Sequence, residues 1–324
     1  MPNGPKSYEE TEKFQANFHP AIFQGKIPDV QTSLPPLDVP NLLRQFGLHP
    51  KKSLGQNFLV DPTALEKVVN AGGVGRTDTI LEIGPGLGSL TRHLASQAAR
   101  VIAVELDHNL IPILREVLTP FDNIEIIHGD ILETNLQSLI SNSQYLVIAN
   151  IPYYITSAVI RHFLESGHPP TRMVLTVQRE VAERICANPP DMNLLALSVQ
   201  VYGQPVIAAH IPARAFYPPP KVASAVVRID ILPEPRLPRS HLDTFFKLIK
   251  AGFSQKRKTL RNALSSGLNL PKETVENLLT TAGIDPTSRA ETLNLEEWGR
   301  LAEETTRRKA QVCANLKSSS SAKV

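Results

Sequence analysis

Five short apolar runs recur between residues 79 and 177, each followed by a helix-like segment, and this alternation constrains the fold most. The runs are Thr79–Ile83, Val101–Glu105, Ile124–His128, Tyr145–Ala149 and Met173–Val177. The segments are Leu90–Gln97, Asn109–Leu118, Leu136–Ser141, Ala158–Glu165 and Val181–Ala187. A strand followed by a crossover helix pairs in parallel with its neighbour, and strands covered by helices on both faces read as continuous apolar runs. The chain is therefore predicted to be α/β, with a doubly wound sheet. Two further strand-like runs, Val206–His210 and Ala225–Leu232, have no helix-length segment between them, which predicts an antiparallel edge.

The flanks differ in character. Pro-Glu-Pro-Arg-Leu-Pro at 233–238 reads as a linker. Beyond it the pattern is helical only: His241–Phe253, Gln255–Leu264, Lys272–Ala282 and Leu295–Arg307, with breaks at Gly267, Gly283–Pro286 and Asn294. The expected organisation is an extension at 1–40, partly disordered, an α/β domain at 41–234, a small all-α domain at 235–308 and a disordered tail at 309–324. At 324 residues and 42% hydrophobic content, the chain has ample core for this plan.

Composition also excludes several classes. The two cysteines, Cys186 and Cys313, lie far apart, and the nine histidines have no ligand spacing, so neither a disulfide framework nor a metal site is expected. No apolar run approaches the roughly 20 residues of a membrane span. The first 15 residues carry Glu9, Glu10 and Glu12 and no apolar stretch, unlike a signal or transit peptide. A cytoplasmic location is the expectation. The net charge of +3 decides little by itself.

Residues 81–90, Leu-Glu-Ile-Gly-Pro-Gly-Leu-Gly-Ser-Leu, form a strand end, a glycine-rich turn and a helix start. The spacing is GxGxG, with Ser89 where a dinucleotide fingerprint would have its third glycine. The carboxylate of Glu82 disfavours a pyrophosphate and suits an ammonium. Glu105 ends the second strand as an acceptor for ribose hydroxyls or as a solvated carboxylate. Asp130 ends the third as an acceptor for an adenine amino group, or as a helix cap or Asx turn. Together, Gly84, Glu105 and Asp130 at successive strand ends describe a site for S-adenosylmethionine, since open α/β sheets bind ligands outside the carboxyl ends of their strands.

The fourth strand ends in Asn150-Ile151-Pro152-Tyr153. The Asn150 amide oxygen and the Ile151 carbonyl would accept the two hydrogens of an exocyclic amine and aim its lone pair at the donor. Pro152 would stiffen the backbone, and Tyr153 would offer a face for a flat base. The alternative is a proline turn with tyrosine packing. Tyr154 is expected to pack under the pocket.

This stretch resembles the amino-group methyltransferase motif (D/N)-P-P-(Y/F) in its N-(L/I)-P-Y form. More specifically, the chain resembles the ribosomal RNA small-subunit adenine N6,N6-dimethyltransferases. The matching stretches are Leu54–Leu59, Glu82–Gly88, Asn150–Tyr154, Val177–Arg184, Phe216–Val222 and Phe253–Asn262, in family order between about 45 and 300. The resemblance implies a Rossmann-like methyltransferase sheet with a small helical domain after it. It implies that Asn57 and Leu59 close over S-adenosylmethionine by side-chain and backbone contacts, beside Gly84, Glu105, Asp130 and Asn150. It implies Phe216 on the other face of the target adenine, with plain core packing as the alternative. The family pattern usually has a polar, tyrosine-bearing segment after Arg184, whereas this chain has Pro-Pro-Asp-Met-Asn-Leu-Leu-Ala-Leu-Ser at 189–198.

RNA is the expected partner, as small-subunit rRNA in a pre-ribosomal particle, with the protein a monomer. Lys51 and Lys52 precede the Gln-Asn-Phe-Leu segment, and Lys221 follows the Pro-rich turn. Lys256, Arg257, Lys258 and Arg261 lie in a stretch without acids between Thr244 and Pro271. Such cations either neutralise phosphates or form a solvated face. The expected reaction dimethylates N6 of two adjacent adenosines in a loop near the 3′ end of 16S rRNA. A relative acting on large-subunit rRNA and a non-catalytic assembly factor stay as alternatives.

Overall fold

The computed structural model describes residues 34–140 and 144–321, with side chains at all of these except 137 and 312–321. Residues 1–33, most of the expected extension, lie outside the described residues. The described chain opens with α1 (Val39–Gln45), capped by Asp38, whose carboxylate accepts from the Asn41 amide. A loop then leads to a two-residue strand, β1 (Phe58–Leu59), and to α2 (Pro62–Gly72). The Asp61 carboxylate accepts from the Ala64 amide, and Pro62 sits in the first turn, where its missing N–H costs no bond.

The expected alternation follows: β2 (Thr79–Ile83), α3 (Ser89–Ala95), β3 (Arg100–Glu105), α4 (Ile111–Leu118), β4 (Ile124–His128), α5 (Leu136–Ile140), β5 (Tyr145–Asn150), α6 (Thr156–Leu164) and β6 (Arg172–Gln178). After α7 (Arg179–Ile185) and α8 (Leu194–Gln200) come β7 (Gly203–Ile211), β8 (Phe216–Tyr217) and β9 (Ser224–Ile231). Seven strands form one sheet in the order β4-β3-β2-β5-β6-β9-β7. β2 to β6 are parallel, and β9 lies antiparallel between β6 and β7. The α/β sheet with an antiparallel edge is thus as expected. β8 pairs instead with β1 in a separate two-stranded sheet.

The chain runs outward from β2 through β3 to β4, then returns to place β5 on the other side of β2. That reversal opens a crevice at the carboxyl ends of β2 and β5. The central strands are apolar on both faces. Leu81, Ile83, Val147 and Leu175 join one buried cluster, while Ile80, Ile148 and Val174 join the cluster on the opposite face.

The helical part comprises α9 (Arg239–Gly252), α10 (Leu260–Leu268), α11 (Lys272–Thr281) and α12 (Leu295–Ser321). Two details differ from expectation. α10 begins at Leu260 rather than Gln255, because the Leu260 and Arg261 amides donate to the Ser288 and Pro286 carbonyls, not to a preceding helical turn. α12 carries helical backbone to Ser321, past the point where its polar, serine-rich sequence suggested a tail. The unusual 189–198 segment also gains a structural reason. Met192, Ala196 and Leu197, with Val201, are buried in one cluster with Phe245, Leu248 and Trp298. Apolar residues there seat the helices against the end of the α/β part.

Among the described residues no helix is long and apolar enough to cross a membrane.

Candidate methyl-donor and acceptor site

Sheet register builds the site. Ile83 of β2 lies opposite Val104 of β3 on one side and Ala149 of β5 on the other. The next positions, Gly84, Glu105 and Asn150, therefore leave the sheet at one level. Asp130 follows β4 two residues past His128, which pairs with Glu105. All four line one cavity of about 820 Å³, counted with its open mouth. Leu54 to Phe58 and Ile151 to Ile155 complete its walls.

The Glu105 carboxylate is held rigidly. Its Oε2 accepts from the Gly86 amide at 2.9 Å and its Oε1 from the Asp107 amide at 2.8 Å. A carboxylate has about four lone-pair positions, so both oxygens keep acceptor capacity toward the cavity. Burial raises its pKa above the ordinary value, against the Asp107 and Gly86 amides, which lower it. Gly84 has φ +64°, and a Cβ there would meet no atom within 4 Å. The space beside its backbone belongs to the cavity, so the strand end forms a cradle that a larger residue would fill. Asp130 lines the cavity, and its Oδ1 accepts from the Leu132 amide at 2.9 Å, the bond that the Asx-turn reading expects.

The acceptor side is fixed by two long-range hydrogen bonds. Asn150 Nδ2 donates to the Asn57 carbonyl at 3.0 Å. A carbonyl only accepts, so the amide nitrogen must face Asn57, which leaves the Oδ1 out of this bond on a residue that lines the cavity. Pro152 has φ −56° and ψ 134°, an extended conformation that carries the chain out of the sheet before a single 3₁₀ turn at Tyr153–Ile155. The Tyr153 hydroxyl shares a 2.7 Å hydrogen bond with Ser224 Oγ. Ser224 is fully buried at the start of β9, so the tyrosine ring is anchored at its far end. Burial raises the Tyr153 pKa, with Ser224 opposing, and the phenol stays neutral.

Several expected site residues lie elsewhere. Leu59 and Phe216 pair across the small sheet, are 3% exposed, and pack in the core rather than on the cavity wall. Strand alternation is the reason: Phe58 takes the cavity side and Leu59 the core side. Tyr154 is not beneath the pocket but 63% exposed at its mouth, since the tight turn points neighbouring side chains apart. Glu82 is 1% exposed and is not among the lining residues. Burial, augmented by the charge of Glu105 and opposed by the Thr91 hydroxyl, pushes its pKa up to about 8, so it is mostly protonated at neutral pH.

Of the expected RNA contacts, Lys52, Lys221, Lys256, Arg257 and Lys258 are exposed. Lys256 to Lys258 lie on a turn ahead of α10. Arg261 is different: its Nη1 pairs with Glu276 of α11 at 2.7 Å, an acid outside the local window in which none was visible. Lys51 is also tied down, its Nζ 2.7 Å from Asp107 Oδ1. Sequence reasoning missed Ser224 and Asp107. Ser224 lies just past the Pro-rich turn, after Lys221, Val222 and Ala223, which was the one available signal. Asp107 follows Glu105 by two residues, but its partners Lys51 and Gln56 lie more than 50 residues away.

Comparison with known proteins places this geometry in a family context. The family model described as Ribosomal RNA adenine dimethylase matches residues 47–307. A ribosomal RNA small subunit methyltransferase A from Dehalococcoides mccartyi (strain CBDB1) is 47% identical over 263 residues, spanning 80% of this chain and 90% of its own. A protein of the same name from Alkaliphilus oremlandii is 42% identical over 274 residues, spanning 82% and 96%. Among solved structures, a dimethyladenosine transferase from Plasmodium falciparum aligns with TM-score 0.66 at 26% identity, covering 78% of this chain and 98% of its own. The 23S rRNA methyltransferase ErmE aligns with TM-score 0.64 at 27% identity, covering 76% and 99%.

Proposed function

This chain belongs to the ribosomal RNA adenine dimethylase family, and on that premise we propose that it dimethylates N6 of adenosine in small-subunit rRNA. The single observation that carries the chemistry is the Asn150–Asn57 hydrogen bond, which leaves the Asn150 amide oxygen out of that bond beside a cavity shared with Gly84, Glu105 and Asp130.

The residues present fit S-adenosylmethionine. Gly84 would leave room for the amino-acid part, the pinned Glu105 carboxylate would accept from ribose hydroxyls, and Asp130 would accept from the adenine amino group. Bound there, S-adenosylmethionine supplies an electrophilic methyl group on a sulfonium. Asn57 and the neighbouring loop wall cover this part of the cavity.

The acceptor adenine enters beside Asn150. Its two N6 hydrogens are taken by Asn150 Oδ1 and the Ile151 carbonyl, which draws the lone pair out of ring conjugation and aims it for in-line attack. Positioning of this kind contributes by holding reactants in a near-attack geometry. Pro152 keeps both acceptors pre-aimed, so little reorganisation accompanies the reaction. Tyr153, anchored by Ser224, stacks on the base. The chemistry a bound S-adenosylmethionine would supply is transfer of that methyl to N6, with S-adenosylhomocysteine as the leaving group and the amine proton lost to water. No strong general base is needed. A second round on the monomethylated amine requires a fresh donor.

Lys52, Lys221, Lys256, Arg257 and Lys258 neutralise phosphates of the folded substrate. An unpaired or flipped adenosine costs least in a loop, which suits two adjacent adenosines near the 3′ end of 16S rRNA. The setting we propose is a pre-ribosomal particle in the cytoplasm, with the protein acting as a monomer. The 47% identity over 80% of the chain to a small-subunit enzyme favours that subunit over the large one. The test is transfer of labelled methyl groups to purified, unmodified small and large subunits. Label in N6,N6-dimethyladenosine of the small subunit supports the reading. Label confined to the large subunit redirects it, and no transfer to either removes it.

A further inference from the structure

The loop Lys51–Asn57 lines one side of the cavity with Leu54 to Asn57, and only the following Phe58 and Leu59 pair with another strand. Beyond its own 3₁₀ turn at Lys52–Leu54 and the Asn57–Asn150 bond, the loop is tied to the far side of the crevice by one carboxylate. Asp107, 3% exposed, sits two residues past Glu105. Its Oδ1 accepts from Lys51 Nζ at 2.7 Å, and its Oδ2 accepts from Gln56 Nε2 at 2.8 Å. The Gln56 Oε1 then accepts from the Lys51 amide at 2.7 Å, closing the loop on itself. The local role of Asp107 needs only Oδ1, which caps the following 3₁₀ turn through the Asn109 amide at 3.1 Å. Oδ2 is given to the loop alone.

The loop also touches the acceptor wall. Asn57 supplies the carbonyl that orients Asn150. Gly55 packs so close to that wall that a Cβ on it would come within 3.2 Å of Pro152 Cβ and 3.4 Å of Tyr154 Cε1. One short segment is thus latched to the end of β3 on one side and leans on the end of β5 on the other. Burial alone would raise the Asp107 pKa, but bonds from Lys51, Asn109 and Gln56 outweigh it and hold it at about 2, so the latch stays charged at any working pH.

We propose that Asp107 is a positioning residue: through Lys51 and Gln56 it clamps the loop across the donor cavity and so sets both donor retention and the orientation of Asn150. This rests on the reading of the cavity as an S-adenosylmethionine site. Lys51 then serves the donor side of the reaction rather than RNA phosphates.

Lys51→Met and Gln56→Ala each remove one arm while leaving the Asp107 cap intact. Binding of S-adenosylhomocysteine is measured by calorimetry, together with hydrogen exchange across the chain. The expected result is about a tenfold weaker Kd in each variant, equivalent to about 1.4 kcal/mol. Exchange should accelerate at 51–57 and stay unchanged at 111–118, a local pattern that general destabilisation does not give. Lys51→Arg keeps the charge-assisted bond and should restore affinity. Equal affinity and equal exchange in wild type and both variants would overturn the latch alone. A wild type that binds no S-adenosylhomocysteine would overturn the donor reading and the latch together.

Discussion

The side-chain amide of Asn150 donates to the backbone carbonyl of Asn57 across 93 residues of sequence. On the proposed mechanism, that contact decides which atom of the amide would meet the substrate, because a carbonyl cannot donate. It also makes the acceptor geometry depend on a loop whose other attachment is Asp107, at the donor side. Donor and acceptor halves of the site are therefore mechanically joined.

Tyr153 and Ser224 form the second such pair. Ser224→Ala leaves a half-buried phenol without its anchor and frees the ring to swing. The expected loss in kcat/KM for RNA is about tenfold, with Tyr153→Phe giving a similar loss. Because both changes break the same bond, the double variant should lose little more than either single one. Steady-state kinetics on the small subunit measures this. Additive losses would mean that the two residues act separately.

Glu82 gives a pH signature with a fixed sign. Its pKa is near 8 in the folded chain against an ordinary 4.5, so folding retains a proton that the unfolded chain releases. Stability therefore falls as pH rises from about 5 to 8, by at most about 1.4 kcal/mol per pH unit for one proton. Glu105, also raised by burial, adds in the same direction. Glu82→Gln removes the share of Glu82, and thermal melts at acid, neutral and alkaline pH should show a flatter profile, with the variant gaining most on wild type at pH 8.

The exposed turn and the paired arginine should separate in salt dependence. Replacing Lys256, Arg257 and Lys258 by alanine should reduce the slope of log K against log salt for RNA binding by about 2, at about 0.7–0.9 per phosphate contact. Arg261→Ala should leave that slope unchanged, since its guanidinium already faces Glu276. Its expected cost is at most about 1 kcal/mol of stability, as for partly exposed pairs. RNA titrations at several salt concentrations distinguish the two.

The buried contact of α8 with the C-terminal helices is testable through Leu197, which is fully buried among Phe245, Leu248 and Trp298. Leu197→Ala should cost about 2–5 kcal/mol by opening a cavity. Denaturant unfolding should register it, although the residue lies at the junction and not at the donor site. A loss below about 1 kcal/mol would mean that the junction repacks easily.

Much of this was legible in the chain itself, for physical reasons. Central parallel strands are buried on both faces, so Ile80–Ile83 and Leu146–Ala149 read as strands without ambiguity. Polar residues at their ends stood out against that background, which is why Gly84, Glu105, Asp130 and Asn150 emerged together and line one cavity. What local sequence hides is the partner. Lys51 and Arg261 looked like free cations because Asp107 and Glu276 are brought to them only by tertiary folding. Leu59 and Phe216 matched the family pattern, but strand alternation turns both into the core. The Lys256–Lys258 turn was read as helix because its residues suit one, while the carbonyls of Pro286 and Ser288 fix the helix start further on.

The most direct test of the central claim is single-turnover methyl transfer to unmodified small subunits by wild type and Asn150→Ala. Donor and RNA binding are measured in parallel. If Asn150 Oδ1 aims the amine, the variant should still bind both, while the rate of N6-methyladenosine formation falls on the order of 10²–10³-fold, as for loss of one pre-aimed transition-state hydrogen bond. A variant that transfers methyl groups within about threefold of the wild-type rate, well under the 1.36 kcal/mol that separates tenfold steps, would contradict the account.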